Sequence, residues 1–478
     1  MLKTIIFTAV FATLSGCVSV GSEFKAPKNV TNTGYRHQEK TDTALLQSQW
    51  WTVFGDASLN ALEQRALLNN PNLNASAQRL IQAQAQLGNL SAAQFPNVSL
   101  GSSVSNSHTS RNTSQSIAFG RRTIEGNNYS LGASMSYEID LWGRVKHIVE
   151  AADAQAAVAQ DDYAGVRLLL SAQVASTYWQ LRGMDAEMAI LTRALATRLE
   201  AEQLFEARLN GGLSNELDVS RARSERANAQ ADLHEIQRQR NLLEHSLATL
   251  VGASPSAVLI SATEQQTSLP EAPVIPVGLP ASLLAQRPDL AASVASLRAA
   301  NAQIAVAEGA FYPALSLTGN FGYASQALSE LAQSGSRQFS IGPLALSLPI
   351  FDGGRNKSNL KQAKARYEEA LANHEGKLLN ALREVEDALS DVQQRQRQAE
   401  AQRQAQQAAA RAYVVAQARY ERGISNYLDV IDAQRSSLIA DRSAVQIKTQ
   451  SLLASVAVAR ALGAGWENNA ALTIVQAH

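Results

Sequence analysis

Two stretches of this chain, RLNGGLSNELDVSRARS from Arg208 and RYERGISNYLDVIDAQR from Arg419, align without a gap at an offset of 211. Upstream, NPNLNASAQRLIQAQAQLGNLSAAQFP (70–96) answers RPDLAASVASLRAANAQIAVAEGAFYP (287–313) at an offset of 217. The six-residue difference arises between Pro96/Pro313 and Arg144/Arg355, where the first copy carries the longer loop. One long register repeated once is an internal duplication, whereas a solenoid repeats every ~20–50 residues. The fold must be assembled from two like halves.

Proline placement says what each half contains. None occurs between Pro96 and Pro255, and none follows Pro349. Proline costs about 3 kcal/mol inside a helix, so these intervals are open to long helices. Residues 144–208 and 355–419 are rich in Ala, Gln, Arg, Glu and Leu, all strong helix formers. Met184, Met188, Leu191, Leu195 and Leu199 recur at three- and four-residue spacing, which predicts a coiled-coil seam. At 1.5 Å per residue, each helix would reach about 100 Å, more than a globular core requires.

Ahead of each helix the period changes to two. In YSLGASMSYEID, Leu131, Ala133, Met135, Tyr137 and Ile139 alternate with small or polar residues, as do Leu315, Leu317, Phe321 and Tyr323 in LSLTGNFGY. VSLGSSVS and FSIGPLALSLPI are weaker partners, and the polar stretches 106–128 and 324–337 join each pair. Strands of about ten residues with one apolar face match tilted bilayer-spanning strands. Phe95, Trp142, Tyr312 and Phe351 stand at their ends, where an interfacial girdle belongs. Four strands cannot close a barrel, and a spanning sheet leaves no edge in lipid. Other copies must complete it.

The N-terminus reads MLKTIIFTAVFATLSGC: Lys3 is the basic region, and Ile5 to Leu14 form an apolar run too short to span. Cys17 is the only cysteine, so no intrachain disulfide is available. L-S-G-C after an apolar run resembles a bacterial lipobox. It predicts a signal peptide over 1–16, with diacylglycerol and palmitate on Cys17. Val18, not aspartate, follows and points to the outer membrane.

The net charge of +0 gives no electrostatic case for nucleic acid. Beyond the N-terminus no stretch approaches the ~18 apolar residues of a spanning helix. The seven histidines include no HExxH; His234 and His245 share a helix face without a third ligand nearby. No phosphate-cradling glycine loop or nucleophile elbow is present. No enzyme, metal site or cofactor beyond the lipid is expected. Glu384, Asp387 and Asp391 line one helical stripe, answered in the first copy by Gln173, Ser176 and Gln180. Such a stripe is a solvated face more often than a metal site, and here a channel lumen would be its solvent.

QWWTVFGDASLNALEQRALLNNPNLNASAQR (49–79) and GLPASLLAQRPDLAASVASLRAANAQIAVAEGAFYPALSLTGNFGY (278–323), with LPIFDGGR and the twin turns, resemble TolC-type outer membrane factors of the OprM-like lipoprotein branch. The resemblance covers nearly all of the mature chain. It implies a mixed α+β membrane protein: a homotrimer sharing a twelve-stranded barrel, four strands per chain. A long periplasmic α-helical barrel and a mixed equatorial domain would continue it. In that frame residues 17–65 are the lipidated and equatorial lead. The first repeat is 66–252 (hairpin 97–141, helix 144–208, turn 209–215). A linker, 253–287, precedes the second repeat, 288–463 (hairpin 313–350, helix 355–419, turn 420–426), and 464–478 is an equatorial tail. The implied task is passive conduction of drugs and other small toxic compounds in a tripartite efflux pump. A periplasmic adaptor and an inner-membrane transporter of the RND or MFS class would be partners.

Gly212 and Gly423 suit helix C-caps, and Ser214–Asn215 and Ser425–Asn426 suit N-caps of the returning helices. Together with Leu213 and Ile424 they make the turns more alike than capping demands. Two turns per chain give six similar tips in a trimer, a rim suited to a ring of adaptor hairpins. The copies differ where the second carries Asp432 and Arg435 and the first Arg221 and Ser224. The resemblance places Leu428 and Asp432 at a closed periplasmic aperture, and Tyr420 and Arg435 in polar contacts that latch neighbouring coils. A type I protein-secretion duct and a channel-less coiled-coil lipoprotein are the competing readings. Metal-ion efflux is a variant of the drug-efflux reading, and four methionines in total give it no support.

Overall fold

The computed structural model describes residues 20–27, 35–36, 49–112, 114–118, 120, 123, 125–259, 268–275 and 287–464. Cys17, the signal peptide 1–16, most of 17–48, parts of the 253–287 linker and 465–478 lie outside the described residues. The chain divides into two compact units. One comprises Met1–Pro27, Leu80–Ala159 and Ser293–His374; the other comprises Lys28–Arg79, Gln160–Ala292 and Glu375–His478.

The first unit holds an antiparallel sheet of order β1-β2-β3-β4: Asn97–His108, Glu125–Ile139, Ala314–Ser325 and Arg337–Ser347. β2 and β3 join the two repeats, while β1 and β4 each have one unpaired edge. Register sorts the side chains by face. Val98, Met135, Gly319 and Ile341 stand in one row, and Leu100, Ala133, Phe321 and Phe339 in the next. Ile139, Leu315 and Leu346 complete the same face near the helices. The opposite face is small and polar: Ser99 meets Ser134 at 2.8 Å, and Ser103 meets Ser130 at 2.7 Å. Leu100 is 77% and Ile341 80% exposed, so the apolar face has no cover among the described residues.

The weak alternation of FSIGPLALSLPI has a structural cause. Leu317 pairs with Leu344 but Gly319 with Ile341, so β4 holds one extra residue there. This bulge at Gly342 and Pro343 keeps Leu344 and Leu346 on the same face as Ile341 and Phe339. The strands also extend further than the alternation suggests, since Asn106–Asn127 and His108–Glu125 are cross-strand pairs. The connection between them carries a short helix α3 (Ser114–Ala118).

Below the sheet Trp142 donates to the Pro313 carbonyl and packs 5.1 Å from Tyr312. Gly143 and Gly354, twins with φ of 80° and 89°, turn strand into helix. The segment 20–24 is tied here by Val20 N–H to the Trp142 carbonyl and by Asn301 to the Ser22 carbonyl.

Helices α1 (Ala57–Asn69) and α2 (Pro71–Ser91), α4 (Arg144–Asn210) and α5 (Glu216–Leu250) come from the first copy. α6 (Pro288–Gly309), α7 (Arg355–Glu421) and α8 (Tyr427–Ala461) come from the second. The expectation that no span-length apolar stretch follows the N-terminus needs correcting for α6, which is long and apolar enough to cross a membrane. Alanine rather than large apolar residues raises its hydropathy, and Arg298 within it pairs with Asp153 at 2.9 Å.

The second unit's main core explains WWTVFGD. Trp50, Trp51 and Phe54 are buried against Tyr178 and Trp179 of α4 and Leu452 and Val456 of α8. Asp56 caps α1 through the Leu59 N–H and also accepts from the Tyr178 hydroxyl at 2.8 Å. The twins Asn70 and Arg287 make equivalent contacts: Asn70 donates to the Leu250 carbonyl, Arg287 to that of Ala461. The cation in the second copy is answered by Glu384 at 2.9 Å and Asp289 at 2.7 Å. Asp387 pairs with Arg383 and Asp391 with Arg395. The Asp387 and Asp391 side chains stay 65% and 47% exposed in these pairs and keep the solvated face expected of the stripe, while Glu384 is drawn to Arg287.

The predicted seam of α4 needs correction. Leu191 is fully buried, but Leu199 is 44% exposed. The buried positions here include Asp185, Arg198, Glu202 and Phe205. The facing stripe of α5 supplies ion-pair partners: Arg240 meets Asp185 at 2.7 Å, Arg198 meets the Glu225 carboxylate at 3.3 Å, and Arg226 bonds Glu202. Paired charges replace leucine in the seam, and the alignment they demand fixes register.

Candidate functional site: helical tips and the latch between them

Both turns close as predicted from their residue types. Leu213 N–H donates to the Arg208 carbonyl at 2.7 Å and Ile424 N–H to that of Arg419 at 2.9 Å. These six-to-one bonds need a left-handed residue, supplied by Gly212 at φ 71° and Gly423 at φ 73°. Asn215 then accepts from the Asp218 N–H and Asn426 from the Asp429 N–H, starting α5 and α8. Ser214 reaches Asp218, whereas the Ser425 hydroxyl is buried without a hydrogen-bond partner among the described residues. Leu213 is 82% and Ile424 62% exposed, so each tip presents one bare aliphatic side chain.

Behind the tips the two hairpins meet through polar and aromatic contacts. Tyr420 accepts from Arg208, and its ring lies 5.4 Å from that of Tyr427, which stacks on Phe205 at 4.3 Å. Burial pushes the Tyr427 phenol up to about 12. Arg435 forks onto Glu225, raising the guanidinium further above its usual range. One step further from the tips, Arg442 meets Glu187 at 2.7 Å and Asp232 at 3.4 Å. The contacts closest to the tips are thus held by groups that can exchange partners with water.

The other predicted site residues fall on the exposed side of α8. Leu428 is 40% exposed, and Asp432 stands 3.9 Å from Arg435, a looser contact than Arg435 makes with Glu225. The structure brings Tyr420 and Arg435 to the first hairpin and leaves Leu428 and Asp432 facing away. Cys17 lies outside the described residues. Arg208, Glu225 and Glu187 escape the sequence reading. Their one legible signal is divergence between the copies: Leu209 against Tyr420, and Ser224–Glu225 against Arg435–Ser436. The turns repeat, but the surfaces where the hairpins meet do not.

The outer membrane efflux protein family matches residues 62–253 and 279–464. The chain is 33% identical to outer membrane protein OprJ of Pseudomonas aeruginosa, over 91% of this chain and 90% of that one. It is 29% identical to the cation efflux system protein CusC of Escherichia coli, over 87% and 88%. The crystal structure of the Campylobacter jejuni CmeC outer membrane channel superposes with a TM-score of 0.84 at 25% identity, covering 94% of this chain and 95% of that one. With the open, face-segregated sheet and the paired helical tips, these matches identify the chain as a member of the outer membrane efflux protein family, the TolC-like channels of efflux pumps.

Proposed function

We propose that three copies of this chain close a twelve-stranded barrel and form the exit duct of a tripartite pump for drugs and other small toxic compounds. The observation that carries this is the four-stranded sheet with two unpaired edges and an exposed apolar face. Joining β4 of one copy to β1 of the next satisfies both edges, puts the apolar rows in lipid and turns the serine-rich face inward. The protein does no chemistry; partners supply energy. The test is the mass of the detergent-extracted complex together with conductance in a planar bilayer. A conducting trimer agrees with the reading; a monomer without conductance defeats it.

The tips, Gly212 to Asn215 and Gly423 to Asn426, dock a periplasmic adaptor, with an inner-membrane RND or MFS transporter beyond it. Leu428 and Asp432 line the resting aperture, and the Arg435–Glu225 and Tyr420–Arg208 contacts hold it closed. Lipid on Cys17 anchors each chain. Alanine at both Leu428 and Asp432 should raise single-channel conductance. A photo-crosslinking residue at Ser425 identifies the partner: a drug-pump adaptor supports this reading, and a protein-secretion adaptor would reassign the cargo to polypeptides. Cation efflux, the activity in CusC's name, is separated by comparing drug and metal tolerance of a deletion strain.

A further inference from the structure

The charges of the sheet are few and unevenly placed. Within the four strands the only formally charged side chains are Glu125, Glu138 and Arg337, besides His108. Glu138 lies on the polar face and is held by Arg144 at 2.6 Å. Glu125 is held by His108 at 2.7 Å. Arg337 has no ion-pair partner among the described residues, and it lies on the apolar face. Its row runs Ser102, Leu131, Tyr323, Arg337.

The height of that row gives the charge its meaning. The apolar face begins beside the helices with Ile139, Leu315 and Leu346, none of them charged. Eight residues along β2 separate Ile139 from Leu131. At ~3.4 Å each and a tilt of ~40°, this is about 21 Å of height, close to the ~25 Å apolar band of an outer-membrane barrel. Arg337 therefore sits at the far boundary, beside Tyr323 and one row inside Tyr129, the level of an aromatic belt. The near boundary, which faces the periplasm because the helices continue from it, has no cation on this face.

We propose that Arg337 is a binding site for the phosphate of an outer-leaflet glycolipid, the phosphorylated lipid A of lipopolysaccharide. The inference rests on the barrel reading above. A guanidinium presents a planar fork of donors that matches phosphate oxygens two at a time. At the boundary it faces a layer of fixed anions, whereas in the apolar band it would be costly. Phe339 and Ile341, below it on the same strand and face, lie level with the acyl chains of a lipid so held. Three copies give three such sites around the barrel.

Native mass spectrometry of the delipidated trimer, with lipid A added, tests this. The wild type should retain phosphorylated lipid A. Arg337→Gln, or removal of the lipid's phosphates, should weaken binding about tenfold, the effect of losing a charge-assisted hydrogen bond. Arg337→Lys should retain part of the binding. Equal binding by wild type and Arg337→Gln would overturn the proposal, as would equal binding of phosphate-free lipid A. So would a variant that loosens the trimer without changing lipid binding, since Arg337 would then serve the next copy of the chain. Arg337→Gln should conduct as the wild type does, so loss of the site is told apart from failure of the channel reading.

Discussion

Arg435 of α8 donates through Nε to Glu225 of α5 at 3.0 Å, and the same carboxylate is held from its own hairpin by Arg198 at 3.3 Å. Glu225 is thus shared between a buried cation that stays and a half-exposed one that can leave. Arg435→Ala leaves the carboxylate paired with Arg198, whereas Glu225→Ala strands a buried guanidinium. Arg435→Ala should raise planar-bilayer conductance with the trimer intact. Solvent screening limits the lost pair to about 1 kcal/mol, roughly a fivefold gain in open population. Glu225→Ala should lower the melting temperature as well. Unchanged conductance in Arg435→Ala would remove this pair from the latch.

The tips test docking separately from gating. Leu213→Asp and Ile424→Asp place charge where each turn now exposes an aliphatic side chain. Melting temperature and conductance should stay within error, while adaptor crosslinking at Ser425 and drug tolerance both fall. If tolerance is kept in the double variant, the aliphatic side chains are not the docking contact.

Gly322 tests the sheet. A Cβ there would stand 2.4 Å from the Gly132 Cα and 2.4 Å from the Leu131 carbonyl oxygen, backbone atoms that cannot turn aside. Gly322→Val should abolish barrel assembly, read as loss of the trimer band in membranes. Gly101→Ala, which meets nothing within 4 Å, should assemble normally. Trimer formation by Gly322→Val would show that the strands can part there.

Glu63 predicts a pH dependence. It is fully buried, and burial raises its carboxyl from 4.5 to about 9. Because the folded value lies above the unfolded one, its contribution is fully present below pH 4.5 and is lost as pH rises towards about 9. Melting temperature should therefore fall across that window. Glu63→Gln should flatten this slope and melt higher at pH 8. Parallel pH curves for the two proteins would exclude Glu63 as its source.

The long helices, the tip turns and the alternation of β2 and β3 were legible because each rests on local chemistry: proline spacing, glycine and asparagine at caps, side chains of period two. The phase of β4 was hidden by the bulge at Gly342, since a strand that changes phase carries no single alternation. The seam of α4 was hidden because Arg198 and Glu202 read as surface residues until Glu225 and Arg226 face them. The Glu384–Arg287 pair was hidden because its partners lie 97 residues apart. Of the candidate site, the turns were local and visible. The contacts between the hairpins were not, because each is written half in one copy and half in the other.

The serine- and glycine-rich face of the sheet has a consequence for traffic. Its one formal charge, Glu138, is neutralised by Arg144, and four of its serine hydroxyls are engaged in the pairs Ser99–Ser134 and Ser103–Ser130. Such a wall offers a passing solute short, neutral groups, with no charged anchor point to delay it. Transit past the sheet should be governed by girth and water drag, and sorting by chemical kind must be finished before a solute arrives there.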